Sequence, residues 1–240
     1  MSGWAPWREA LFADREEAGR LLADRLRAYR GASDGLILAL PRGGVAVGYT
    51  LSLALRLPLD VFLVRKLGAP GNPEFAIGAM TETGSVHLNP GAPEVLETLS
   101  APAGYLEHAV RIQKEEIARR QALYRKGRPL PSLADRTVLL VDDGIATGAT
   151  FLASVEALKG LGVKRLVAAI PVGPADTLRE VGRRVDELVV LMAPEPFFAV
   201  GNHYADFSQV EDEKVIRYMA EAAAALREGG AAPERKGEAS

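Results

Sequence analysis

At 240 residues, with 48% hydrophobic and 25% charged residues, the chain has a globular composition and lies below the roughly 250 to 300 residues at which cores split. A formal charge of −2 gives no bulk cationic field to draw in nucleic acid, so any anion site has to be local. The absence of cysteine excludes disulfides, thiolate zinc sites and cysteine nucleophiles, and points to a reducing, cytoplasmic setting.

Met1 to Asp14 carries two tryptophans and charges rather than a basic patch followed by an apolar run, so no signal peptide is expected. Arg15 to Arg30 sets Ala18, Leu21, Leu22, Leu26 and Tyr29 at helical spacing, and Gly31 closes that helix. Leu36 to Leu40 reads as a buried strand, Pro41 to Gly44 as a tight loop, and Val45 to Leu55 as a helix of small and apolar residues. Leu59 to Val64 reads as a second buried strand, followed by a basic loop from Arg65 to Pro73.

Phe75 to Met80 and Ser85 to Leu88, joined by Thr81 to Gly84, read as a β-hairpin added to the main sheet. Tyr105 to Tyr124 is a long charged helix with Leu106, Val110, Ile117 and Tyr124 on one stripe. Strand and helix then alternate through Thr137–Val141, Thr147–Leu161, Arg165–Ile170, Ala175–Arg184 and Glu187–Leu191. Met192 to Gln209 is irregular and aromatic, a last helix ends near Arg227, and the polar tail is expected to fray. Continuous aliphatic strands between helices imply an α/β fold with a mostly parallel, doubly wound sheet. Every apolar run is strand-sized, far short of the roughly 20 residues that span a bilayer, so no membrane role is expected.

The chemistry concentrates after the strand Val138 to Val141. Asp142 and Asp143 stand at its carboxyl end, where open α/β sheets bind ligands. Gly144 frees the chain to turn, and Ala146, Thr147, Gly148, Ala149 and Thr150 open a helix whose uncovered amides and dipole suit a phosphate, with two hydroxyls as further donors. The acids repel an anion and instead need donors or a cation, which a ribose diol or Mg2+ would supply. The spacing is neither Gly-x-x-x-x-Gly-Lys-Ser/Thr nor Gly-x-Gly-x-x-Gly, which excludes a P-loop and leaves a dinucleotide-binding redox enzyme without its glycines. An ordinary capped helix start is the plain alternative.

Val138 to Thr150 resembles the sugar-diphosphate signature of type I phosphoribosyltransferases, and the nearest likeness is to uncharacterised bacterial members of that family. The likeness extends over roughly Gly35 to Leu191. It implies a type I phosphoribosyltransferase-like domain over residues 1–240. Its core is near 35–191, its hairpin-plus-helix insertion near 75–130, its small hood near 192–210, and its frayed tail covers 229–240. It further implies that Asp142 and Asp143 hold the ribose hydroxyls of 5-phosphoribosyl 1-diphosphate while Thr147 to Thr150 hold its 5-phosphate.

Pro41 to Gly44 completes the expected site. Gly43 and Gly44 let amides approach a polyanion and Arg42 offers a planar charged fork, and the family's diphosphate loop falls here. Arg42 and Lys66 are the candidate catalytic residues, Arg65 and Lys66 being expected beside the same edge to neutralise diphosphate or to stand as a solvated pair. The basic residues of the inserted helix, interleaved with Glu115 and Glu116, read as a solvated face. Phe197 and Phe198 either stack on a base from the hood or pack in the core, and the base pocket is expected between Ala146, Val172 and Phe197. His87, His108 and His203 share no metal spacing, so Mg2+ would be held mainly through the substrate.

The expected activity is a pentosyltransferase of nucleotide metabolism, moving phosphoribosyl to a nitrogen acceptor with release of pyrophosphate. Family members acting on 6-oxopurines carry an acid where this chain has Ala146, which implies another acceptor base, not identified by any local motif. A non-catalytic sensor of the same donor is the alternative. The segment from Met80 to Pro131 is a candidate lid, and the apolar surface near Trp4 and Trp7 could serve a dimer.

Overall fold

A computed structural model of the chain describes residues 12–230. Its centre is a five-stranded parallel sheet built from β1 (Gly35–Ala39), β2 (Leu59–Val61), β6 (Thr137–Val141), β7 (Arg165–Val172) and β8 (Glu187–Met192), in the order β2-β1-β6-β7-β8. Period-two alternation assigns each strand residue a face. Ile37, Leu139, Val141, Val167 and Ala169 meet α1 (Arg15–Arg25) and α2 (Gly43–Leu55) through Leu22, Val47 and Leu51. Leu36, Leu38, Val138, Leu140, Ala168 and Ile170 pack instead with Phe151, Val155 and Leu158 of α5 (Ala149–Lys159) and with Leu178 of α6 (Ala175–Gly182). Burial of both faces explains why the central strands β1 and β6 read as nearly unbroken aliphatic runs.

The hairpin does not extend the main sheet. β3 (Val64–Ala69), β4 (Asn72–Thr81) and β5 (Val86–Leu88) form a separate antiparallel sheet in the order β3-β4-β5. The expected basic loop after β2 is thus mostly strand, and the insertion begins at Val64. Side chains terminate β2: Glu82 accepts from the Leu63 N–H at 2.8 Å, and buried Arg125 donates to the Val61 carbonyl. Two helices complete the insertion, α3 (Ala92–Thr98), which the sequence reading missed, and α4 (Tyr105–Arg125). The last helix, α7 (Asp212–Gly230), lies against α2, with Tyr218 stacked on Tyr49 at 4.5 Å between ring centroids. Residues Trp4 and Trp7, and the tail beyond Gly230, lie outside the described residues.

Strand order reverses at β1, which has β2 on one side and β6 on the other. A sheet of this kind opens a crevice beyond the carboxyl ends of the two strands at the reversal, and both loops singled out in the sequence fall there.

Candidate functional site

The two loops touch. The Leu40 N–H donates to the Val141 carbonyl at 2.9 Å, and the chain then turns through a cis peptide between Pro41 and Arg42 into α2. A Cβ on Gly43 would lie 1.9 Å from Asp143 Oδ2, and one on Gly44 would lie 2.9 Å from both the Asp142 Cα and the Val141 carbonyl oxygen. Only glycine lets the loops approach this closely. On the β6 side, Gly148 adopts a left-handed φ of 73° and α5 starts at Ala149, two residues later than Thr147. Thr147 is therefore in the loop, exposed, while Thr150 is half-buried in the first turn. Thr177 Oγ1 donates to the Ala146 carbonyl at 2.9 Å and braces the turn.

The acids differ in their surroundings. Asp142 Oδ1 accepts from the Asp143 N–H at 2.9 Å. Burial, and then the neighbouring charge of Asp143, hold the Asp142 carboxyl well above the usual carboxylate range, with Arg15 opposing the shift. Asp143 Oδ2 accepts from Arg15 Nε at 2.6 Å, and the Asp143 carbonyl accepts from the Tyr204 hydroxyl at 2.5 Å. Burial raises the Tyr204 phenol, and the charge of Asp143 adds to it. Arg42 reaches Glu211 at 3.2 Å and Asp212 at 3.8 Å, at the start of α7.

Lys66 and Arg65 part company. Arg65 turns into the insertion and donates to Gln113 at 2.9 Å. Lys66 lines a cavity of about 310 Å3 together with Ile77, Asn89, Gly91, Val95 and Thr147, so it does share a space with the loop between β6 and α5. Around the expected base pocket the outcome is mixed. Val172 is fully buried, because β7 runs on through it and it packs beneath Gly144, so it belongs to the core rather than to a pocket wall. Phe197 is half-buried and stacks on His203 at 5.4 Å, whereas Phe198 is 77% exposed. His203 is buried, and His108 lies exposed beside Arg111.

Three residues that no motif marked enter the site: Arg15, Tyr204 and Phe207. A signal for Arg15 existed, since it shares a helical stripe with Ala18 and Leu22, and a charge on a buried stripe requires a partner. Among the described residues no group of three or more His, Asp or Glu is placed to hold a metal ion. The oxygens of Asp142 and Asp143 fit at most one edge of a hard cation whose other ligands come from elsewhere, one of the four being already on Arg15. Among the described residues no helix is long and apolar enough to cross a membrane.

A family model described as the phosphoribosyl transferase domain matches residues 9–198 of the chain. Two Mycobacterium tuberculosis proteins provisionally named as phosphoribosyl transferases, from strains CDC 1551 and H37Rv, are each 40% identical over 221 residues, covering 92% of this chain and 49% of the relative. The chain thus spans about half the length of these relatives. The crystal structure of TT1426 from Thermus thermophilus superposes with a TM-score of 0.73 and 41% identity, covering 88% of this chain and 98% of that one.

Proposed function

The chain belongs to the phosphoribosyl transferase domain family, and from that membership we propose that it binds 5-phosphoribosyl 1-diphosphate at the sheet's switch point and transfers the phosphoribosyl group to a nitrogen acceptor. The observation that carries this reading is the contact of Gly43 and Gly44 with Asp143 and Asp142, which unites a loop suited to diphosphate with a loop suited to a sugar phosphate. In this reading the amides opening α5, with Thr147 and Thr150, take the 5-phosphate. Asp142 and Asp143 accept hydrogen bonds from the ribose hydroxyls. The amides of Gly43 and Gly44 and the guanidinium of Arg42 take the diphosphate, with Lys66 adding positive charge from the insertion. Mg2+ fits as an ion carried mainly by diphosphate oxygens, where it supplies charge neutralisation to the leaving group.

Transfer breaks the bond from the anomeric carbon to the diphosphate oxygen and forms one from that carbon to the acceptor nitrogen. The electron pair leaves with pyrophosphate, and the acceptor's proton is lost to solvent. Positive charge grows on the sugar ring meanwhile, so the residues contribute positioning, leaving-group neutralisation and water exclusion rather than a nucleophile. Ala146 carries no carboxyl to take a proton from a base, which favours an acceptor other than a 6-oxopurine. A cytoplasmic setting, a dimer and a lid within Met80 to Pro131 are parts of the same reading.

The test is calorimetric titration with the donor and Mg2+, followed by pyrophosphate release over a panel of heterocyclic bases. Binding with release on at least one base is expected. Binding without release on any base would favour a donor sensor, and no binding would end the reading.

A further inference from the structure

Arg15 lies on the first helix, far from either loop in sequence, yet it is 9% exposed and its side chain bridges Asp143 and Ser208. Its Nε donates to Asp143 Oδ2 at 2.6 Å and its Nη1 to the Ser208 carbonyl at 2.9 Å. The guanidinium carbon sits 3.8 Å from the centroid of the Phe207 ring, a cation–π contact at close range. Phe207 packs in turn on Tyr204 at 5.1 Å, whose hydroxyl holds the Asp143 carbonyl. On the other side, Asp143 Oδ2 rests against Gly43 of the diphosphate loop. One oxygen of this carboxylate, Oδ2, is therefore committed to Arg15, and Oδ1 is the oxygen that Arg15 does not hold.

We propose that Arg15 is a positioning residue of the sugar site. It clamps Oδ2 of Asp143 so that Oδ1 is presented to a ribose hydroxyl, and it fixes the segment Tyr204 to Ser208 to that carboxylate. The proposal deepens the donor-binding reading and rests on it. A planar fork is required because the side chain must serve a carboxylate, a carbonyl and an aromatic face at once, which a lysine ammonium cannot do. An ammonium can still offer a single charged donor to Asp143.

The test compares affinities for ribose 5-phosphate and for inorganic phosphate in the full chain and in Arg15→Gln, Arg15→Lys and Phe207→Leu. Arg15→Gln should lose about tenfold in ribose 5-phosphate affinity while phosphate affinity stays within about twofold, since one charge-held hydrogen bond to the sugar is loosened and the phosphate loop is untouched. Arg15→Lys should recover part of that loss, and Phe207→Leu should show a smaller loss in the same ratio. Equal losses for both ligands, or no loss in a folded Arg15→Gln protein, would overturn the assignment while leaving donor binding intact. Failure of the unaltered chain to bind ribose 5-phosphate would overturn the donor reading, and Arg15's role with it. If Arg15→Gln has no cooperative melting transition, the other two variants decide by the same ratio.

Discussion

Replacing Arg125 with methionine should detach the insertion from the sheet edge. Arg125 and Glu82 are each 1% exposed at the side chain. The guanidinium donates to Asp60 Oδ1 and Glu82 Oε1 at 2.8 Å each, and further to Glu82 Oε2 and the Val61 carbonyl. Glu82 would be left with only the Leu63 N–H at 2.8 Å and Gln121 Nε2 at 3.1 Å to support a buried charge. Asp60, 17% exposed, can turn part of its carboxylate to water, so the stranded Glu82 dominates the cost. Removing one partner of a buried pair typically costs about 3–5 kcal/mol. For a domain of this size that lowers the melting temperature by about 6–20 °C. Adding Glu82→Leu removes the stranded charge and should restore stability to within about 1–2 kcal/mol, the remainder reflecting the lost acceptor for the buried Leu63 N–H. Urea denaturation followed by circular dichroism measures all three proteins. A loss below about 1 kcal/mol for Arg125→Met, or a double variant no more stable than the single, would refute the assignment of the cost to an unpaired Glu82.

Asp142→Asn should separate stability from binding. The folded state holds the Asp142 proton more tightly than the unfolded state, so the stability this group lends is complete below the unfolded value of about 3.9 and is lost as pH rises through the raised folded value. The Asn variant should therefore melt higher than the unaltered protein at about pH 8, with the gain vanishing toward about pH 4, by calorimetric scans across that range. The same variant should bind the donor about tenfold more weakly by titration, through loss of a charge-assisted hydrogen bond. Thr147→Ala should weaken donor and inorganic phosphate alike, by about three- to tenfold, measured in the same titrations. Gly43→Ala places a methyl 1.9 Å from Asp143 Oδ2 and 3.1 Å from Arg15 Nε, so it should cost about 1–3 kcal/mol in a denaturant melt and reduce donor affinity more than tenfold.

The central parallel strands were legible because burial on both faces leaves β1 an unbroken aliphatic run and β6 one after its opening Thr137, and β6 matches its expected bounds residue for residue. β3 was read as a loop for the opposite reason. It carries Arg65, Lys66 and Gly68 on a half-exposed ribbon, and its pairing with β4 shifts register around Gly68. A short irregular strand of this kind has neither alternation nor a continuous apolar run to announce it. α3 spans only seven residues, too few for a helical stripe to stand out. In the site, both loops could be read because each carries its chemistry in consecutive residues. Val172 misled because a residue just past an expected strand end can as easily be covered as exposed. Arg15 and Arg125 escaped because a buried stripe position shows only that a charge needs a partner, and the partners lie far along the chain, at Asp143, Asp60 and Glu82.

Those two arginines bear on how a chain of nearly balanced charge would receive the polyanion proposed for it. Arg15 occupies the stripe of Ala18 and Leu22, and Arg125 the stripe of Gln121 and Ile117; both are spent on internal carboxylates and cannot be released without stranding a buried charge. Arg42 is different. Its partners Glu211 and Asp212 are 59% and 23% exposed, and pairs of that kind are worth about 0–1 kcal/mol. In the proposed reading, exchanging them for diphosphate oxygens would cost little, because Glu211 can turn to water and Asp212 keeps the Tyr124 hydroxyl at 2.5 Å and Arg119 at 3.8 Å. Lys66 lines the same cavity as Thr147. Helical phase thus commits Arg15 and Arg125 to internal carboxylates, which in the proposed reading leaves Arg42 and Lys66 to meet the diphosphate.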